Sequence, residues 1–194
     1  TLLDTWMHPR NFYAIRERRP GGGFVFIPWD CEWSLESSSD NVVDRPYGEG
    51  YQNPAYLFVQ LAQNSEFRML VADHIHRHYF NDGVLTEANT IARYLNRSMD
   101  MDRAIVGESA RWGDTLRSTP YTRDVEWVSE RDRLVGSYFP VRDEVVLSQL
   151  QAAGYYPDVE APVFSINGAY QHGGVISSSD TFTMAAGDGT IWFT

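Results

Sequence analysis

The chain contains no lysine: all 16 of its basic residues are arginines, set against 26 acidic residues. This absence excludes a Schiff-base lysine, a lysine general base and the phosphate-binding lysine of a Walker loop from these 194 residues. The net charge of −10 also argues against a nucleic-acid surface or an anionic membrane as the partner.

Cysteine is almost absent, and long apolar runs are missing. The single Cys31 excludes a disulfide within the chain and leaves the redox compartment open. No apolar run approaches the roughly 20 residues that span a bilayer. The hydrophobic fraction of 43% nevertheless suffices for a folded core. Because both ends have the composition of interrupted elements, we expect a fragment of a longer protein.

A glycine-rich turn precedes the most hydrophobic stretch of the chain. Residues 11–16 and 23–29 both have strand-forming composition, and the turn-prone residues 18–23 separate them. This arrangement predicts a β-hairpin. Because Pro28 has no N–H to donate to a sheet, we expect strand pairing to end near it.

Two carboxylates follow the second strand of this predicted hairpin. Asp30 and Glu32 are one residue apart, so their side chains point the same way if the chain stays extended. Such a pair, flanked by Trp29 and Trp33, suits a hard cation such as Mg²⁺ or Mn²⁺. The alternative interpretation is an acidic turn covered by tryptophans. A glycosidase pair is disfavoured, because glycosidase carboxylates flank the scissile bond from separate elements.

Beyond residue 53 the apolar residues recur with the period of helices. Five helices are predicted, beginning near Asn53-Pro54, Ser65, Thr86, Asp124 and Pro140. We expect the third helix to continue towards Trp112 and the fourth to end at residue 137. Gly83 and Gly154 are expected to end the second and fifth helices.

The segments that flank the helices have a different composition. Residues 36–52 are polar and rich in turn formers, which predicts a long surface loop. Strand-like pieces at 162–166 and 181–184 predict the start of a small β-sandwich. We therefore expect an α+β chain, in which an N-terminal hairpin packs on a mostly α-helical lobe over residues 1–157. A partial β-sandwich follows over residues 158–194.

Three further polar residues are candidates for the chemistry of the carboxylate site. Asn11 lies across the predicted hairpin, and its amide oxygen would help coordinate a metal that carries nucleotide phosphates. Asp4 is a candidate catalytic base or second acidic ligand. Arg111 either pairs locally with Glu108 on a helix or binds a phosphate near the acidic site. A backbone-bonded loop asparagine and a solvated surface aspartate are the alternatives for the first two.

Three histidines alternate along the second predicted helix. Helical geometry places only His74 and His78 on one face, with His76 elsewhere, and no glutamate stands in the metalloprotease position between them. We interpret them as surface or packing histidines.

Short motifs occur in a fixed order over about residues 6–157. They are residues 10–16 (RNFYAIR), 26–33 (FIPWDCEW), 53–54 (NP), 66–68 (EFR), 80–83 (FNDG), 108–114 (ESARWGD) and 138–142 (YFPVR). In order and spacing these motifs resemble the CotH kinase family, the atypical protein kinases similar to spore coat protein H. The tail from Ala161 to Thr194 is similar to the opening of a chitobiase C-terminal-type β-sandwich.

This resemblance implies ATP-dependent transfer of the γ-phosphate to serine hydroxyls of a protein substrate, with Mg²⁺ or Mn²⁺. It implies that Asp30 binds the metal and that Asn11 helps to hold a second one, while Glu32 stands where several relatives have aspartate. Many members have an acidic residue where this chain has Trp6, and Asp4 is the nearest candidate for that role. The nucleotide-binding lobe and its lysine would lie upstream.

The resemblance also implies a bacterial, extracytoplasmic protein whose C-terminal module contacts carbohydrate or protein. A catalytically inactive scaffold or binding module of a large surface protein is the alternative from another class. A metal-dependent hydrolase that uses Asp30, Glu32 and a histidine is the third.

Overall fold

The computed structural model describes residues 11–43, 54–171 and 173–192. The predicted α+β class is confirmed: an antiparallel hairpin comes first, helices follow, and a three-stranded sheet lies at the C-terminal end. Asp4 and Asn53, the predicted start of the first helix, lie outside the described residues. Residues 44–52 of the predicted loop also lie outside them.

The hairpin forms where its sequence predicts it. Strands β1 (Phe12–Arg16) and β2 (Phe24–Pro28) pair antiparallel, with the first residue of β1 opposite the last residue of β2. Pairing therefore ends at the proline, as expected from its missing N–H. The connecting turn includes Gly21 at φ 79°, a left-handed conformation that glycine adopts without a steric penalty.

Both faces of this hairpin carry apolar side chains. Alternation along the paired strands places Phe12, Ala14, Phe24 and Phe26 on one face and Tyr13, Ile15, Val25 and Ile27 on the other. Several of these side chains are well exposed, including Tyr13 and Phe24 at 62% each. Within the described residues no third strand pairs with the hairpin, so it presents an apolar surface.

The first three helices match the predicted positions. They are α1 (Pro54–Leu61), α2 (Ser65–Tyr79) and α3 (Glu87–Trp112). Asn64 caps α2, because its side chain accepts a hydrogen bond from the N–H of Glu66 at 2.8 Å. The expected end of α2 at Gly83 is too late, since the helix ends at Tyr79 and Asn81 turns the chain at φ 56°.

A fourth and a fifth α-helix occur near the predicted positions, with Pro140 in the first turn of the fifth. The expected break between them is absent, because the chain is helical without interruption from Arg123 to Ala152. A π-helical turn (Arg123–Trp127) leads into α4 (Val128–Arg133), and a second π-helical turn (Leu134–Tyr138) leads into α5 (Phe139–Ala152). A proline within an α-helix lacks an N–H, and its ring clashes with the carbonyl four residues earlier. The second π-helical turn ends two residues before Pro140. It widens the backbone there, since the N–H of Phe139 donates to the carbonyl oxygen of Leu134, five residues earlier.

The main core lies between α3 and this long helical segment. Leu134, Tyr138 and Phe139 form a buried cluster, against which Leu35, Ile91 and Tyr94 pack. Tyr138 is only 2% exposed. The rings of Tyr94 and Phe139 lie 5.3 Å apart between centroids, within the range of favourable aromatic pairs.

The C-terminal sheet contains β3 (Val163–Ile166), β4 (Ala169–Tyr170) and β5 (Phe182–Ala185) in the antiparallel order β4-β3-β5. The two predicted strands are thus confirmed within one residue, whereas a β-sandwich stays a prediction. A two-residue turn, Asn167-Gly168, joins β3 to β4 with both φ angles positive, which matches the right-handed twist of a hairpin. Across the described ranges, no helix combines the length and apolar character that a bilayer span needs.

Candidate functional site

The predicted site lies where the hairpin ends, and we call Asn11, Trp29 and Asp30 the hairpin end. The N–H of Trp29 donates to the carbonyl oxygen of Asn11 at 3.2 Å, which extends the pairing one step beyond β1 and β2. Asn11 is buried at 7% exposure, whereas Asp30 is exposed. The structure therefore brings Asn11 directly opposite the residue that precedes Asp30.

The backbone leaves the extended conformation at Asp30, which adopts φ 58° in the left-handed region. Aspartate is one of the few non-glycine residues that enter this region readily. Asp30 and Glu32 were expected to point the same way only if the chain stayed extended. Because Asp30 is left-handed, that condition is not met. Both residues are exposed.

The segment that follows is fixed to the helical lobe, and we call residues 35–40 the anchored loop. Leu35, with φ 64°, packs against the buried core cluster. Its carbonyl oxygen accepts a hydrogen bond from the Arg133 guanidinium at 2.7 Å, and that of Glu36 accepts another at 3.2 Å. The backbone is thus attached to the lobe five residues after Asp30.

A second arginine binds the anchored loop more deeply. Arg142 is 6% exposed and donates to the carbonyl oxygens of Ser38 and, at 2.8 Å, Asp40. The side-chain amide of Gln149 donates to Ser39 and Asp40. Hydrogen bonds from a charged donor contribute more to stability than neutral ones. The bonds from Arg142 therefore fix the loop to the helical lobe. The local sequence carries no signal for these contacts, which join residues about 100 positions apart.

Arg111 is exposed near the end of α3. Its guanidinium carbon lies 4.9 Å from the ring centroid of Trp112, within cation–π range. The local ion pair with Glu108, one of the two sequence interpretations, is not among the ion pairs of the described residues. Arg111 is therefore restrained by its aromatic neighbour rather than by a carboxylate.

The histidines on α2 divide as expected from their spacing. His74 and His78 face each other with ring centroids 6.1 Å apart, whereas His76 packs against Phe80 and bonds to Tyr156. Among the described residues no three histidine, cysteine or acidic side chains come together as a metal-binding group. The interpretation of His76 as a packing residue agrees with these contacts.

Comparison of this chain with models of protein families, with curated proteins and with solved structures finds no match.

Proposed function

We propose that this chain is the mostly helical C-terminal lobe of a CotH-like protein kinase, which transfers the γ-phosphate of ATP to serine hydroxyls. The support is the order of the sequence motifs together with one structural observation. The hydrogen bond between Trp29 and Asn11 brings the two sequence-predicted ligands, Asn11 and Asp30, to the same end of one hairpin.

The oxygen donors at the hairpin end fit a hard divalent cation in kind. Mg²⁺ commonly uses one or two protein carboxylates and completes its shell with water and substrate phosphates. Asp30 and Asn11 would hold the ion, with Glu32 as a further carboxylate within two residues. The bound ion would neutralise phosphate charge.

The remaining residues have narrower roles in this proposal. Asp4 would accept the proton of the serine hydroxyl as its oxygen bonds to phosphorus and ADP leaves. Arg111 would bind a phosphate oxygen through its guanidinium. The anchored loop would keep the backbone after Asp30 in place, since Arg133 bonds to Leu35.

Mn²⁺ titration by calorimetry tests the role of Asp30. Asp30→Asn is the informative variant, because asparagine also tolerates φ 58° and only the charge changes. We expect binding to weaken about tenfold, since cation affinity follows the charge of the ligands. Asp188→Asn, an exposed aspartate near the C-terminal end, is the matched control and should bind like the parent. Equal binding by the parent and Asp30→Asn would remove Asp30 as a ligand.

A non-catalytic binding module is the second candidate, favoured by the apolar faces of the hairpin and their exposure. Exposed apolar patches commonly mark interaction surfaces. We expect this chain alone to transfer no phosphate, because the nucleotide-binding lobe would lie upstream. Transfer of labelled phosphate from ATP to a serine-containing protein by the longer parent protein therefore distinguishes the two. Transfer that is lost in Asp30→Asn and kept in Asp188→Asn would exclude the binding module.

A further inference from the structure

A cleft that shares no lining residue with the hairpin end lies between the C-terminal end of α2, the segment after α5 and the strands β3 and β4. Its volume is about 500 Å³, which is within the range of ligand sites in proteins. The side chains that matter here are His76, Phe80, Tyr156, Asp158, Glu160 and Tyr170. We call this the aromatic cleft.

Three of its rings form an ordered stack. The centroids of His76 and Phe80 lie 4.8 Å apart with 16° between the ring planes, and those of Phe80 and Tyr156 lie 5.6 Å apart with 22°. The Nδ1 atom of His76 and the hydroxyl of Tyr156 are hydrogen-bonded at 2.9 Å. Burial raises the pKa of Tyr156, so its hydroxyl stays protonated at neutral pH. The stack is therefore an ordered aromatic wall of the cleft.

The sheet supplies the remaining aromatic side chain. Tyr170 on β4 donates a hydrogen bond to the side chain of Asn81, the left-handed residue that follows α2. This bond ties the sheet to the end of the helix across the cleft. The ring of Tyr170 remains 58% exposed, so it is accessible to a bound molecule.

The charges around the aromatic cleft are mostly negative. Asp158 and Glu160 line it, and in the larger space that adjoins it the carboxylates of Asp73 and Asp82 outnumber the guanidinium of Arg77. In the part of the chain that the structure describes, neither carboxylate has an ion-pair partner. The faces of aromatic rings attract cations, and the chain as a whole carries −10. An anionic ligand would be repelled, and a cation would be attracted by both rings and carboxylates.

We propose that the aromatic cleft binds the guanidinium group of an arginine side chain in a peptide. A planar guanidinium stacks on an aromatic face and pairs in a fork with a carboxylate, and an ammonium does neither as well. The stacking of a guanidinium on an aromatic ring already occurs within this chain: the guanidinium carbon of Arg117 lies 3.7 Å from the ring centroid of Tyr121. The cleft presents the same two kinds of partner, aromatic rings and carboxylates.

The probes are N-acetyl-arginine amide and its citrulline analogue, which has the same shape without the charge. We expect the arginine probe to shift the NMR signals of Phe80 and Tyr156, with a dissociation constant on the order of 1 mM. Added salt should weaken binding, because the carboxylates are exposed. Citrulline should bind at least about threefold more weakly. Equal binding of the two probes, or no shift with arginine, would overturn the proposal.

Variants assign the site. Glu160→Gln should weaken arginine binding about threefold to fivefold, as for one exposed charge pair, and Tyr170→Leu about threefold through the lost ring. Glu144→Gln, an exposed carboxylate on α5, is the matched control and should leave binding unchanged. Unchanged binding in both cleft variants would contradict the proposal. So would preferential binding of a neutral oligosaccharide, which would identify carbohydrate as the ligand.

The site is separable from the proposed kinase chemistry. Asp30→Asn should bind the arginine probe like the parent, because Asp30 does not line the aromatic cleft. Loss of Mn²⁺ binding at the hairpin end and loss of arginine binding in the cleft are therefore independent results.

Discussion

The hairpin of β1 and β2 is rich in apolar side chains, and the anchored loop of residues 35–40 is almost entirely polar. The hairpin nevertheless exposes Tyr13 and Phe24 at 62% each, whereas the loop is bound by Arg133 and Arg142. A two-stranded hairpin has no means of burying two apolar faces by itself. Backbone carbonyls, by contrast, become fixed wherever a buried donor meets them. In this protein, arginine side chains bind the polar anchored loop to the helical lobe, whereas the apolar hairpin before it leaves several of its side chains exposed.

A matched pair of phenylalanine substitutions gives the largest expected effect on this comparison. Phe139→Ala removes a ring from the buried cluster and should lower the free energy of unfolding by about 3–5 kcal/mol. Phe24→Ala removes an exposed ring and should change it by less than about 0.5 kcal/mol. Urea denaturation of both variants measures the difference. Equal losses would mean that the hairpin is packed as tightly as the core.

Arg142→Met tests the anchoring of the loop and should have an intermediate effect. It removes the charged donors to Ser38 and Asp40 and should cost about 2–3 kcal/mol. The part-buried carbonyl of Ser38 loses this donor, and that of Asp40 keeps only the amide of Gln149. Hydrogen exchange should become faster at the amides of Ser37 and Asp40, which take part in hydrogen bonds within the loop.

Arg97→Met is the control for this substitution. Arg97 is exposed, and its one ion pair among the described residues is a long one with Asp100 at 3.5 Å. This variant should leave both the stability and the loop exchange close to those of the parent. Exchange that stays slow in Arg142→Met would assign the order of the loop to contacts other than this guanidinium.

Acidification should have the smallest effect. Hydrogen bonds from Arg133 hold the pKa of Glu130 below its ordinary value of 4.5. This lowered pKa stabilises the folded chain above pH 4.5, and the contribution is lost as the pH falls through the folded-state value. Because the pair is partly exposed, we expect no more than about 1 kcal/mol.

Chemical denaturation at several pH values measures this contribution. Glu130→Gln should flatten the acid limb of the stability curve, and Glu108→Gln, whose carboxylate has no ion-pair partner in the described ranges, should not. An unchanged acid limb in Glu130→Gln would mean that other groups dominate it.

Local patterns predicted the strands and most helix positions, because apolar period and turn residues act over a few positions. The end of pairing at Pro28 and the end of α5 at Ala152, two residues before the left-handed Gly154, follow from such local rules. The continuous helix around Pro140 could not be predicted, since proline also reads as a helix start.

The sequence predicted which residues of the candidate site lie near one another, but not the backbone conformation that orients them. The hairpin period places Asn11 opposite Trp29, but no sequence signal announces that Asp30 enters the left-handed region. The anchored loop was predicted as an ordinary surface loop, because its arginine partners lie about 100 residues away. Such distant pairings leave no trace in local periodicity.

The two π-helical turns also set which way the last helical segment faces. Each such turn adds one residue to a helix, which rotates everything beyond it by about 100° relative to an unbroken α-helical spiral. After the turn at Leu134–Tyr138, this angular offset lets α5 contact α3 and direct Arg142 and Gln149 towards the anchored loop. One extra residue in the helix thus allows the same helical segment to contact both α3 and the anchored loop.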